Sequence, residues 1–188
     1  MENDIRVDLA LVHYPVCNRN SEVIGSAVTN LDIHDIARAG RTFGVGTYYL
    51  VTPFADQQQL VNEIVDHWQT GHGSEYNKPR KEALSIVRVC SDLEELFTEV
   101  AGNRGARPII VATSAARNAK TMEYVDARQK IFTGEPMLLL FGTGWGLAPE
   151  VTERIDAFLP PIVGGGDYNH LSVRSAASII LDRLLGDR

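Results

Sequence analysis

The chain has 188 residues, of which 44% are hydrophobic and 22% charged, with a formal net charge of −6. This length and composition predict one globular domain over residues 1–188, and the acidic balance argues against nonspecific coating of nucleic acid. The sequence has no apolar run near the ~20 residues of a membrane span, no signal-peptide pattern, and only Cys17 and Cys90 as cysteines, so we expect a cytoplasmic protein without a disulfide framework or a metal site.

The first half of the chain alternates predicted strands with predicted helices. Strands are predicted over 6–13, 46–53 and 84–90, which are rich in aliphatic, β-branched and aromatic residues. Helices are predicted over 32–43, 56–70 and 92–100, with Asp32 as the N-cap of the first helix. The turn after the first strand contains no glycine, which disfavours a Rossmann-type dinucleotide site.

A polar segment over 71–81 interrupts this alternation, and we predict that it is an exposed loop. It is locally basic and contains Tyr76, while the first helix carries further cations on one face. Cations suit phosphate groups and an aromatic ring suits base stacking, so an RNA-contacting surface is one interpretation. A solvated basic stripe without a further role is the other. The cations concerned are Arg38, Arg41, Lys78, Arg80 and Lys81.

The second half continues the alternation, with strands predicted over 108–113, 136–141 and 159–163 and helices over 121–132 and 171–185. This order of elements predicts an α/β fold, in which a mostly parallel sheet has helices on both faces and binds ligands at the carboxyl ends of its strands. Thr113 ends one such strand. Its hydroxyl either reaches the ligand cleft or closes the N-terminus of a helix.

Two late strands are each followed by glycines. The apolar strand over 136–141 leads into Gly142, Gly144 and Gly146, and the segment 159–163 leads into three consecutive glycines at 164–166. Glycine lets the backbone bend sharply and leaves its N–H and C=O groups accessible, which suits recognition of a flat heterocycle. Two glycine loops that face the start of one helix therefore predict a single cofactor cleft.

These residues carry a family resemblance. Phe141-Gly-Thr-Gly-Trp-Gly-Leu147, followed by Pro149-Glu150, and Asn169-His-Leu-Ser-Val173 resemble the last two motifs of the SPOUT (SpoU–TrmD) RNA methyltransferases. The match is closest to the small family known as SAM-dependent RNA methyltransferase. Arg38, six residues before Gly44, is similar to the arginine of the first SPOUT motif, and Asp32 stands where SpoU-type members usually have an asparagine.

The resemblance implies a SPOUT-type fold with a C-terminal deep trefoil knot. It also implies S-adenosylmethionine as cofactor, methyl transfer to a base or ribose of tRNA or rRNA, and either a homodimer or a protein partner for RNA recognition. The residues expected to bind the cofactor are Thr113, Phe141, Gly142, Thr143, Gly144, Gly146, Ile162, Gly164, Leu171, Ser172 and Val173.

Two catalytic routes remain open for such a transfer. If the acceptor is a base nitrogen, Asp167 or His170 is the candidate general base. If it is a ribose hydroxyl, Arg38 would favour the alkoxide that develops. We expect Arg174 to contact phosphate together with Arg41, Lys78, Arg80 and Lys81, while a structural role for Asp167, His170 or Arg174 is an equal alternative. Asn169 is the expected cap of the last helix.

Two other functions compete with this reading. One is a non-catalytic module that binds the cofactor or RNA and works with a partner. The other is a nucleotide-binding enzyme of flavodoxin-like type, which is disfavoured because neither glycine cluster reads Gly-x-x-x-x-Gly-Lys-Ser/Thr.

Overall fold

The computed structural model describes residues 5–71, 73–115, 118 and 120–187. Its helices and strands, in chain order, are β1 (Val7–Val12), β2 (Val16–Cys17), β3 (Val23–Ile24), α1 (Asn30–Thr42), β4 (Tyr48–Val51), α2 (Ala55–Gln69), α3 (Gly73–Tyr76), α4 (Lys78–Leu84), β5 (Val87–Cys90), α5 (Leu93–Arg104), β6 (Ile109–Ala112), α6 (Tyr124–Phe132), β7 (Met137–Gly142), α7 (Pro149–Thr152), β8 (Ala157–Phe158) and α8 (Val173–Leu185).

Six strands form one sheet in the order β5-β4-β1-β7-β6-β8, and all of its pairings are parallel. The central strands are buried on both sides because alternate residues point to opposite faces. Leu9 and Leu139 belong to one hydrophobic core, which α1, α6 and α8 cover, while Ala10 and Leu138 belong to a second core beneath α5. The prediction of an α/β fold with helices on both faces is therefore confirmed.

The strand order fixes where a ligand site belongs. From β1 the chain builds outward through β4 and β5, and the later strands then add on the opposite side, so that β7 lies beside β1. Ligands of open parallel sheets bind outside the carboxyl ends of the strands at such a reversal. Here these ends are Val12 of β1 and Gly142 of β7, which are partners in the register.

The predicted exposed loop over 71–81 is wrong, because the structure forms α3 and α4 there. The side chain of Asn77 accepts a hydrogen bond from the backbone N–H of Arg80 at 3.1 Å, and Pro79 lies in the first turn of α4. Both are strong helix-start signals. Leu84 ends this helix, so the strand predicted over 84–90 begins only at Val87.

The strand predicted over 159–163 is also wrong. Strand β8 comprises only Ala157–Phe158 and pairs with β6, and the chain then leaves the sheet. Pro160 and Pro161 lack the N–H groups that a ladder needs, which explains why the pairing stops there. Residues 159–172, hereafter the tail, run without regular secondary structure from β8 to α8.

Two predicted helix starts also need correction. Helix α1 begins before Asp32, and its N-cap is Thr29, whose hydroxyl accepts from the backbone N–H of Asp32 at 3.2 Å. Helix α8 is capped by Ser172 and not by Asn169, with the N–H of Ser175 donating to the Ser172 hydroxyl at 3.3 Å. Over the described ranges, no helix has the length and apolar character needed to span a bilayer.

Candidate functional site

The glycine loop, residues 142–147, begins at the last residue of β7 and is hydrogen-bonded to the segment after β1. Cys17 donates its N–H to the Gly146 carbonyl at 2.9 Å, and its own carbonyl accepts from the Trp145 N–H at 2.9 Å. Gly144 has a φ of +60°, and an added Cβ would lie 2.8 Å from the Cys17 carbonyl oxygen. Glycine is therefore required at 144 by the close approach of the two backbone segments.

The loop nevertheless keeps main chain available for a ligand. Across the described part of the chain, neither the N–H nor the carbonyl of Gly144 is hydrogen-bonded to another group. Gly146 has a φ of +110°, and nothing lies within 4 Å of the Cβ that another residue would place there. One side of the loop is thus fixed by the protein while the other is open, an arrangement that fits a flat ligand held by main-chain groups.

Two residues that the sequence analysis missed hold the start of this loop. The Thr143 hydroxyl donates to the Val12 carbonyl at 3.1 Å and is hydrogen-bonded to the Ser26 hydroxyl. Ser26 is bonded in turn to Nδ1 of His13 at 3.0 Å. His13 follows β1 directly, so the rule that sites lie at carboxyl ends would have selected it. The Thr143 side chain is predicted to bind the cofactor directly, but in the structure its hydroxyl is already hydrogen-bonded within this network.

His13 is fully buried, and burial lowers its pKa from 6.5 to about 4, although Asp32 and Ser26 act to raise it. The imidazole is therefore neutral at physiological pH. Within the described residues its Nε2 atom has no hydrogen-bond partner.

The tail and the first residue of α8 contribute two kinds of predicted residue. Ile162 and Val173 are partly buried against the same core as Phe141. Gly164 and Leu171 are exposed, and so are the candidate bases Asp167 and His170. The Ser172 hydroxyl is used by the cap of α8 described above.

Thr113 lies where the sequence placed it, at the end of β6 and beside β7. Its N–H donates to the Leu140 carbonyl at 3.1 Å, and its hydroxyl is 3.5 Å from the same oxygen. The condition for Thr113 to reach the cleft, that its strand adjoins 138–141, is met by the register Ala112↔Leu140.

Arg174, in the first turn of α8, makes ion pairs with two carboxylates of α1. Its Nη1 lies 3.2 Å from Asp32 and its Nε lies 3.5 Å from Asp35. Asp32 also accepts from the Thr29 hydroxyl at 2.6 Å. Contact of Arg174 with RNA phosphate remains a prediction, since the guanidinium already joins α8 to α1.

The predicted RNA-contacting cations lie on two helices that pack together, α1 and α4. Arg41 is 2.5 Å from Glu82 of α4, and the guanidinium of Arg80 lies 4.9 Å from the centre of the Trp68 ring. Burial lowers the pKa of His34, the positive charges of Arg80 and Arg38 lower it further, and the carboxylate of Asp35 acts to raise it. We call these residues the basic face: Arg38, Arg41, Lys78, Arg80 and Lys81.

Three surface concavities lie along the sides of the sheet, and no predicted cofactor residue lines any of them. No cluster of metal-binding side chains occurs among the described residues.

Comparison with known proteins defines the class. A family model described as SAM-dependent RNA methyltransferase matches residues 6–186, and the chain therefore belongs to that family. A protein of Oleidesulfovibrio alaskensis named tRNA (guanine-N(1)-)-methyltransferase is 48% identical over 178 residues, which are 95% of this chain and 41% of that protein. A protein of Aquifex aeolicus, named only as uncharacterized, is 37% identical over 95% of this chain and 87% of its own length.

The solved structures agree on the fold. The SpoU methyltransferase AviRb from Streptomyces viridochromogenes, in complex with AdoMet, has a TM-score of 0.60 at 17% identity and covers 95% of this chain and 56% of its own. The predicted family, SAM-dependent RNA methyltransferase, is thereby confirmed together with its cofactor S-adenosylmethionine. The chain spans about two fifths of the curated tRNA methyltransferases it matches, since it covers 41% of each.

Proposed function

We propose that the chain is the methyl-transfer domain of a tRNA methyltransferase that modifies N1 of guanine. The observation that carries this is the glycine loop at the junction of β1 and β7, pinned on one side and open on the other, in a member of the SAM-dependent RNA methyltransferase family. The choice of tRNA over rRNA, and of guanine N1 as acceptor, rests on the name of the 48% identical relative.

S-adenosylmethionine, when bound, supplies a methyl group on a positively charged sulfur. We propose that Gly144 offers its N–H and carbonyl to the cofactor and that Gly146 leaves room for it. Ile162 and Val173 would provide an apolar surface, since both are partly buried against the core that also holds Phe141. The remaining proposed contacts are those of Thr113, Gly142, Thr143, Gly164, Leu171 and Ser172.

Guanine N1 carries a proton that must leave as the methyl group arrives. Asp167 and His170 are exposed in the tail, so either can reach a base presented from solvent and accept that proton. With a ribose hydroxyl as acceptor, exposed Arg38 would instead stabilise the alkoxide. The guanine acceptor favours the first route.

The basic face is the proposed surface for RNA phosphates. It concentrates cations on α1 and α4 in a protein whose formal net charge is −6, so the local sign differs from that of the whole. Arg174 would extend this surface if RNA displaced its contacts with Asp32 and Asp35.

Four further properties are proposed, the knot and the assembly from the resemblance and the single domain and the location from the length and composition of the chain. They are a single domain over residues 1–188, a deep trefoil knot formed by the tail and α8, assembly as a homodimer or with a protein partner for RNA recognition, and a cytoplasmic location.

The test is transfer of labelled methyl from S-adenosylmethionine to unmodified tRNA transcripts, followed by nucleoside analysis. We expect 1-methylguanosine, and no label on a transcript whose target guanine is replaced. Binding of the cofactor without transfer to any RNA would favour the non-catalytic module instead. Asp126→Asn, an exposed carboxylate change on α6, is the control that should leave transfer unchanged.

A further inference from the structure

A chain of hydrogen bonds connects the buried His13 to the glycine loop. It runs from His13 Nδ1 to the Ser26 hydroxyl at 3.0 Å, on to the Thr143 hydroxyl, and ends at the Val12 carbonyl, 3.1 Å from Thr143. The backbone strengthens this link, since the Ser26 N–H donates to the His13 carbonyl at 2.8 Å.

Only one direction satisfies all three side-chain contacts at once. The Val12 carbonyl can only accept, so Thr143 donates its single hydroxyl proton to it and must accept from Ser26. The Ser26 hydroxyl also lies 3.4 Å from the His13 carbonyl, but whether its single proton goes there or to Thr143, none is left for the imidazole, which must therefore donate from Nδ1. The network therefore assigns the Nδ1–H tautomer and leaves Nε2 as an unprotonated acceptor.

A buried imidazole with one unsatisfied nitrogen is energetically unfavourable. Nε2 has no hydrogen-bond partner within the described residues, and an unsatisfied buried acceptor destabilises the fold relative to an apolar side chain of similar size. The hydrogen bond made by Nδ1 must therefore explain why a histidine lies at this position. That hydrogen bond orients Ser26 and, through Ser26, the first side chain of the glycine loop.

With this network, hydrogen bonds hold the chain on both sides of Gly144. On its C-terminal side, Trp145 and Gly146 are bonded to Cys17. On its N-terminal side, Thr143 is held by Ser26 and Val12. Gly144 lies between these anchors in a left-handed conformation with its own N–H and carbonyl available.

We propose that His13 is a positioning residue for the cofactor site, acting through Ser26 and Thr143 on the conformation of the glycine loop. The part concerning the cofactor rests on the proposed function; the part concerning the loop does not. His13 itself touches neither cofactor nor RNA in this scheme, because it is fully buried.

The tautomer is tested first, by ¹⁵N NMR of histidine-labelled protein, in which one of five histidines should differ from the rest. We expect one signal pair with Nδ1 protonated and Nε2 bare, unchanged from pH 8 to 5.5 and absent from His13→Asn. An Nε2–H tautomer for this residue would overturn the proposal.

The positioning role is tested with Ser26→Ala, which removes the relay without opening a large cavity. Loss of one neutral hydrogen bond should weaken S-adenosylmethionine binding about 3- to 10-fold by calorimetry. Ser26→Ala combined with Thr143→Val should be no weaker than Thr143→Val alone, because both changes break one relay. Additive losses, or unchanged affinity in Ser26→Ala, would contradict the relay. Thr133→Ala, an exposed hydroxyl at the end of α6, is the control and should bind as wild type.

A rescue and a cofactor-independent signal complete the design. His13→Asn can place an amide N–H near the lost Nδ1 and should keep affinity within about twofold of wild type, whereas His13→Leu should match Ser26→Ala.

In a Trp68→Phe background, exposed Trp145 is the remaining one of two tryptophans, and its fluorescence anisotropy should fall in Ser26→Ala. If the wild-type protein binds no cofactor but the anisotropy still falls in Ser26→Ala, the proposed function fails and the positioning role stands. If the anisotropy is unchanged in Ser26→Ala, the positioning role is contradicted.

Discussion

The glycine loop and the tail look alike in sequence but differ in how the protein uses their glycines. In the glycine loop, Gly144 lies in a left-handed conformation against the Cys17 carbonyl, with anchoring hydrogen bonds on both sides. In the tail, a Cβ added to Gly164, Gly165 or Gly166 would meet nothing within 4 Å. Glycine is thus a steric requirement in the first segment, while in the second it leaves an exposed segment unconstrained.

This contrast suggests a division of labour between the two segments. The anchored glycine loop suits a cofactor that must be placed accurately, and the exposed tail carries the proposed bases Asp167 and His170, which are accessible to a large substrate from solvent. The predictions below test each half of the division.

The largest effect is expected in the tail. Replacing both candidate bases, as Asp167→Asn with His170→Gln, should lower kcat about 10²- to 10⁴-fold, the usual contribution of a general base. Cofactor affinity by calorimetry should stay within about twofold, because neither side chain is among the proposed cofactor contacts. The single variants identify the base, and wild-type turnover in the double variant would rule out both.

The next largest effect concerns His13, which lies behind the glycine loop, and the free energy of unfolding at acid pH. An unfolded chain protonates His13 near pH 6.5, whereas burial lowers the pKa of the folded residue to about 4. The stabilising contribution is therefore complete above pH 6.5 and is lost as pH falls toward 4, amounting to about 3 kcal/mol at most. Urea unfolding followed by circular dichroism between pH 7 and 4.5 should show this loss, and His13→Asn should lack it. An identical pH dependence in both proteins would argue against a buried neutral imidazole.

A matched pair of glycine substitutions tests the contrast itself. Gly144→Ala forces an alanine into a φ of +60° against the Cys17 carbonyl, and we expect a destabilisation of about 1–3 kcal/mol with weakened cofactor binding. Gly165→Ala meets no neighbour and should change the free energy of unfolding by less than about 0.5 kcal/mol. Similar effects at the two positions would show that the segments do not differ as the structure indicates.

The smallest effect lies outside both segments, on the basic face. Lys78→Ala should weaken tRNA binding several-fold and reduce the slope of log K against log salt by about 1, with cofactor affinity unchanged. Lys120→Ala, an exposed lysine beside β8, serves as the control in the same filter-binding assay. An equal loss in both variants would indicate attraction by overall charge and not by this face.

The sequence predicted those parts of the molecule that depend on local patterns. The buried strands β1, β4 and β7 follow from short apolar runs, and the glycine loop follows from its position after β7. Helix α4 is not predicted although Asn77 and Pro79 signal its start, because the polar composition around them is equally typical of a loop. No spacing could reveal the link from His13 through Ser26 to Thr143, since it depends on the pairing of β1 with β7.

The strand order also bears on how the molecule assembles. The central strand β1 meets β4 early in the chain, but its other neighbour, β7, comes only after five further helices and two further strands of the sheet, in the register Val7↔Met137. Contacts between residues so distant along the chain slow folding, because the loop between them must close before they form. We therefore expect a folding intermediate in which one edge of β1 is bare and apolar, and a chaperone that shields it should raise the yield of native protein.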